Sequence, residues 1–163
     1  MAFEFEQRKP GPELDRWVES VWFARGQIAY RHEWIAPTGS TVAVLNLGDP
    51  IVHASTGIRA SRLRATTGWL SGPHDRPSFN EPLGRTCAYG VVTTPIGAAT
   101  TFGVDPRALR GRVVRLGTWR RGPRLRTALA KAEASQGLEH LLAELHAGLC
   151  EVDPIVRTTG TPT

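Results

Sequence analysis

The stretch Leu45-Asn46-Leu47-Gly48-Asp49-Pro50 decides how this chain is read. It closes a run, Thr41 to Leu47, that is too apolar to be solvated on either face, and it closes it on Gly-Asp-Pro, residues that favour a turn. Working outward, Pro37-Thr38-Gly39 marks an upstream turn between two β-patterned runs. Downstream, Leu70-Ser71-Gly72-Pro73 ends another apolar run, and Tyr89-Gly90-Val91 leads into Pro95-Ile96-Gly97-Ala98. Strands are therefore expected over Val21–Phe23, Tyr30–Ile35, Thr41–Leu47, Pro50–His53, Ala65–Leu70 and Thr86–Thr93. Residues 54–64 and 71–84 read as loops, the second because it holds Pro73, Pro77 and Pro82.

The remainder is punctuated for helices. Leu14, Trp17, Val18 and Val21 fall at i, i+3, i+4 and i+7, which predicts a short amphipathic helix from Pro12. Thr94-Pro95 and Asp105-Pro106 each put a capping residue before a proline, and Gly103 and Gly111 can close the two short helices that follow. Pro123 opens a longer helix with Leu125, Ala128, Leu129 and Ala132 inward. Beyond Gly137, Leu138, Leu141, Leu142, Leu145 and Leu149 recur at helical spacing. This leucine stripe reads first as core, although so even a stripe can also serve an interface. Strands over about 1–94 followed by helices over about 95–150 argue for an α+β domain spanning 1–152, with 153–163 as a tail.

In that order the marks quoted above resemble the N-terminal effector-binding domain of AraC-type transcription regulators, over roughly residues 10–157. The resemblance implies a cupin-like antiparallel β-barrel or jelly roll followed by a C-terminal helical hairpin. It also implies a small-molecule ligand and a homodimer through 123–149. The helix-turn-helix half that reads DNA in that family is absent from the sequence, so no specific DNA binding is expected of this chain alone. The end, Thr158-Thr159-Gly160-Thr161-Pro162-Thr163, departs from the family and is expected to be a chain end of its own. The strand through Tyr89 departs as well: Val92 and Thr93 stand where the family usually carries arginine and phenylalanine, so its usual ligand type need not carry over.

The 163 residues, 40% hydrophobic and 21% charged, suit one soluble domain rather than a disordered chain. No apolar run approaches the length of a membrane span and no secretory signal opens the chain, so a cytoplasmic protein off the membrane is expected. Cys87 and Cys150 read as reduced, buried thiols. The net charge of +5 rests on arginine, and eight arginines with no acid lie between Arg107 and Arg126. Solvated helix faces are the preferred reading of that stretch over a nucleic-acid surface.

Catalytic signatures are sparse. There is no Gly-x-Ser-x-Gly elbow, phosphate loop or dinucleotide fingerprint, and His32, His53, His74, His140 and His146 include no His-x-His, so neither a metal nor a cofactor is expected. What remains is a pocket. Trp22, Trp34, Trp69 and Tyr89 lie on expected strands and can line a barrel mouth suited to a planar or apolar ligand, or else simply fill it. Glu33, Asn46, Arg85 and His32 are candidates to orient the ligand. Glu33 becomes a candidate general base if buried among aromatics, and an ordinary surface residue if not. Strand alternation sets Trp34 with His32 on one face and Glu33 on the other. Two functions follow: a small-molecule-binding module related to regulator sensors, and a stand-alone, cofactor-free cyclase or isomerase of specialised metabolism on the same barrel.

Overall fold

The computed structural model describes residues 2–58, 60–133 and 136–150. Among them the chain forms strands β1 (Glu4–Arg8), β2 (Val18–Gln27), β3 (Glu33–Ile35), β4 (Val42–Asn46), β5 (Ile51–Ala54), β6 (Arg62–Ala65), β7 (Gly68–Ser71), β8 (Ser78–Pro82), β9 (Arg85–Thr93) and β10 (Val113–Arg115). Three α-helices follow or interleave: α1 (Ala98–Phe102), α2 (Gly122–Lys131) and α3 (Gly137–Cys150). The strands build two sheets, ordered β1-β2-β9-β4-β7-β10 and β3-β8-β5-β6. Their inner faces enclose a cavity, and the helices lie against the outer face of the six-stranded sheet. This is the cupin-like antiparallel barrel with C-terminal helices that the family resemblance implies.

Side-chain parity explains the layering, because successive strand residues point to opposite faces. Trp22 and Ala24 of β2, Val42 and Val44 of β4, and Ala88 and Val92 of β9 line the cavity. Their neighbours Val21, Phe23, Ala43, Leu45, Tyr89 and Val91 instead join a core with Leu125 and Leu129 of α2 and Leu138, Leu141 and Leu145 of α3. The central strands β2, β9 and β4 are thus covered on both faces, and this is why Thr41–Leu47 carries no solvated side. Each leucine sealed in this layer contributes about 1.5–3 kcal/mol relative to exposure. The buried leucines of the α3 stripe serve the chain's own core.

The turn from Leu45 to Pro50 is a junction. Asn46 Nδ2 donates to the carbonyls of Asp49 (2.9 Å) and Thr66 (3.1 Å), and its Oδ1 accepts from Gly48 N–H at 3.2 Å. Leu47 and Gly48 N–H both reach the Cys87 carbonyl, at 2.7 and 2.9 Å. Arg126 of α2 donates to the Asn46 carbonyl at 2.7 Å, tying helix to sheet.

Several expected elements differ. Residues 12–17 make turns rather than a helix, with Trp17 and Val18 N–H both donating to the Leu14 carbonyl. Two turns of chain nucleate a helix poorly, and β2 takes over at Val18 to pair with β9. The stretch after Asp105-Pro106 also stays in turns, while Gly103 and Gly111 adopt the left-handed conformation expected of them, at φ 66° and 68°. The supposed loop 71–84 holds β8, whose prolines are tolerated because Pro77 precedes the strand and Pro82 is its last residue. β6 lies in the other supposed loop, and β10 falls inside the expected helical half. β1 is an edge strand with charged residues along it, Glu4 pairing with Arg25 at 2.8 Å. Tyr30–Ile35 is a strand only over Glu33–Ile35. Cys87 is half-buried, while the side chain of Cys150 and the tail 153–163 lie outside the described part of the chain.

Candidate functional site

Between the two sheets lies a cavity of about 520 Å³. Its walls are mostly apolar: Trp22, Val42, Val44, Trp69 and Ala88 from the six-stranded sheet face Ile35, Ile51 and Pro82 from the four-stranded one. Phe3 and Phe5 reach it from the N-terminal segment, with Phe5 6.2 Å from the Trp22 ring. The Trp22 indole packs directly against Gly90 of β9, where there is no side chain; a Cβ there would sit 1.9 Å from the ring.

The polar wall is a row set by strand register. Glu33 on β3 stands opposite Asn80 on β8, and Asn80 stands opposite His53 on β5. Asn80 Nδ2 donates to Glu33 Oε2 at 3.5 Å, and Asn80 Oδ1 lies against His53 Nδ1. A carboxylate can only accept, so the Asn80 amide turns its NH₂ to Glu33 and its oxygen to the imidazole. His53 therefore carries its proton on Nδ1, and its Nε2 accepts from the Ser71 hydroxyl across the barrel at 3.3 Å. The ring also stacks on Trp69, 5.0 Å between centroids and 14° from parallel. Burial lowers the His53 pKa from 6.5 to about 4, against the opposing Asn80 hydrogen bond and with nearby His74 adding to the shift. His53 is accordingly neutral at physiological pH.

His74 also lines the cavity. Its Nδ1 lies against the Gly72 carbonyl and so bears the proton, and its Nε2 has no hydrogen-bond partner among the described residues. The same is true of the Thr86 hydroxyl. Among the described residues there is no group of three or more His, Cys, Asp or Glu able to hold a metal ion.

The residues singled out from the sequence separate into two sets. Trp22, Glu33 and Trp69 come together on the cavity. Trp34 does not: Glu33 and Ile35 turn inward, so Trp34 projects outward, 64% exposed and 5.3 Å from Phe79. His32 packs on the same Phe79 from outside. Tyr89 is 2% exposed on the helix side, where its hydroxyl occupies the space a side chain at Gly137 would need. Burial raises its pKa, as it does that of Cys87. Asn46 is fully buried in the turn described above, and Arg85 is exposed at the start of β9. For these five, strand parity or position along the chain directs the side chain away from the cavity.

His53, Asn80, Ser71 and His74 were not singled out for the pocket. His53 has a sequence signal, an imidazole on the same side as Ile51 in an apolar strand. Asn80 has none while β8 is taken for a loop, and without β8 the row joining Glu33 to His53 cannot be drawn. Chemically, the site can enclose a flat apolar body and offer hydrogen bonds along one wall.

No curated protein matches the chain in sequence. Among solved structures it is similar to the Cupin_2 domain of an XRE family transcriptional regulator from Enterobacter cloacae, at 12% identity and TM-score 0.41 over 58% of this chain and 99% of that one. It is similar also to an HTH_3 family transcriptional regulator from Vibrio cholerae, at 11% identity and TM-score 0.42 over 57% of this chain, which spans 51% of that protein. An oxalate oxidase in complex with the substrate analogue glycolate aligns at 19% identity and TM-score 0.37, over 93% of this chain and 74% of that one. Likenesses at this level carry no argument about ligand or chemistry. The sequence profile of a domain of unknown function, DUF6597, matches residues 6–115, and the chain belongs to that family.

Proposed function

We propose that this chain binds a small, flat, largely apolar molecule in the cavity between its two sheets, as a module related to the sensor half of AraC-type regulators. The observation that carries the reading is the cavity itself: about 520 Å³, walled by Trp22 and Trp69 and edged by one hydrogen-bonded polar row. A bicyclic aromatic compound fits such a space and leaves its polar substituent for the row. The relation to AraC-type sensors is supported by the sequence marks. A homodimer through 123–149 and cytoplasmic residence belong to the same reading, although the buried leucines of α3 face the barrel rather than a partner. The reading includes no specific DNA binding by this chain alone; Arg107, Arg110 and Arg126 have local partners in Asp105, Asp75 and Asn46.

The Ser71–His53–Asn80–Glu33 chain gives the enzymatic alternative its one support, since a Ser–His contact can activate a hydroxyl. Two facts favour binding. With a pKa of about 4, His53 is a weak base at neutral pH. The backbone N–H next to Ser71, that of Gly72, is already donated to the Arg112 carbonyl at 3.0 Å and so is not free to serve an oxyanion.

The test is calorimetric titration of the wild type and an Ala24→Trp variant with 2-naphthylmethanol and related bicyclic alcohols. Ala24 lines the cavity, so an indole there fills it. The reading expects saturable binding by the wild type and none by the folded variant. Unchanged binding by the variant refutes it.

A further inference from the structure

Resting on that binding reading, we propose that the cavity selects a cationic ligand, a protonated aromatic amine or nitrogen heterocycle, with Glu33 as its counter-ion and the Trp22 and Trp69 rings as its walls. The lining itself is short of positive charge. The chain carries 20 lysines and arginines, yet none is among the described residues that line this cavity. Apart from two imidazoles, of which His53 is held neutral by its burial, the one ionisable side chain these residues turn toward it is the Glu33 carboxylate.

Glu33 is also placed unlike the other carboxylate near it. Glu81, next to Asn80 on β8, points out of the barrel and meets Arg31, His32 and Arg62 at 3.5–3.7 Å. Glu33 points in, and among the described residues it has no ion-pair partner, only the long contact from the Asn80 amide. A half-buried carboxylate beside apolar walls is costly unless a cation or strong donors meet it. The missing partner is supplied by a bound cation.

The imidazoles agree. Asn80 and the Gly72 carbonyl each hold a ring through its Nδ1, and the His53 Nε2 is already taken by the Ser71 hydroxyl, so only the His74 Nε2 is left to meet a ligand. The His74 Nε2 has no donor among the described residues. The Glu33 carboxylate reads hydrogen-bond donors, and a carboxylate or phosphate ligand would meet its repulsion with no lysine or arginine among the described lining residues to compensate it. Indole faces add attraction for a cation over the ring.

Three compounds of one shape and different charge test this by calorimetry at neutral pH: 2-naphthylmethylamine, 2-naphthylmethanol and 2-naphthoate. The expected order is amine, then alcohol, then carboxylate, with the amine at least tenfold tighter than the carboxylate. Glu33→Gln should erase the amine's advantage over both the alcohol and the carboxylate. If the carboxylate binds as tightly as the amine, or Glu33→Gln leaves the order unchanged, this proposal fails while the binding reading stands. If none of the three binds, both fail. Should Glu33→Gln not fold, the order measured on the wild type decides alone.

Discussion

His53 should make the fold sensitive to mild acid, and the size of the effect follows from its burial. In the unfolded chain the imidazole takes a proton near its ordinary pKa of 6.5, whereas in the folded protein it does so only near 4. Between these values the unfolded state binds more protons, so the stabilisation is complete above 6.5 and is lost as the pH falls toward 4. Each tenfold difference in proton affinity between the two states is worth about 1.4 kcal/mol, so lowering the pH from neutral to pH 4.5 should cost about 2–3 kcal/mol through this one residue. The assay is urea unfolding of the wild type and His53→Gln at both pH values. Carboxylates respond equally in the two proteins, so the difference between their pH responses isolates the imidazole. The expected result is a wild type that loses about 2–3 kcal/mol more than the variant. Equal losses, or a His53 ring proton that titrates near its ordinary value by NMR, would refute the reasoning.

Three further outcomes are expected. Gly90→Ala should displace the Trp22 ring, which lies 1.9 Å from the new Cβ, costing roughly 1–3 kcal/mol and shifting tryptophan emission to the red. Leu141→Ala should lower stability by about 2–5 kcal/mol in denaturant unfolding, because Leu141 is fully buried between α3 and the sheet. Asn46→Ala should cost about 1–3 kcal/mol in the same assay, since it strands the Asp49 and Thr66 carbonyls without their donor.

What the sequence discloses of this fold depends on how much each residue's local pattern differs between its possible surroundings. Thr41–Leu47 is legible because a strand covered on both faces must be apolar throughout. The α3 stripe is legible because five leucines at helical spacing have few other uses. β8 is not, since Pro77 and Pro82 are breakers by type, and only the sheet shows that both stand where the strand ends. The parity of Glu33 and Trp34 is legible too, but parity alone does not choose the inward face. The choice lies in a long-range contact: Phe79 on β8 offers Trp34 and His32 an aromatic partner outside, and Asn80 offers Glu33 an amide within. The polar row is hidden for the same reason, as its members come from three strands whose pairing order is not written in any local pattern.

The two sheets differ in how freely they can change. A substitution at Val91 or Leu45 is felt by the helices and one at Val92 or Val44 by the cavity, so β4 and β9 at the centre of the six-stranded sheet have no idle face. The four-stranded sheet is a thin partition, with the cavity on one side and Trp34, Glu81, Arg62 and Arg64 toward solvent on the other. Descendants of this chain can therefore revise what the cavity accepts at Ile35, Asn80 or Pro82 without renegotiating the helical packing. Diversification of ligand taste within such a lineage falls to the thin wall, and the thick one is left to conserve the scaffold.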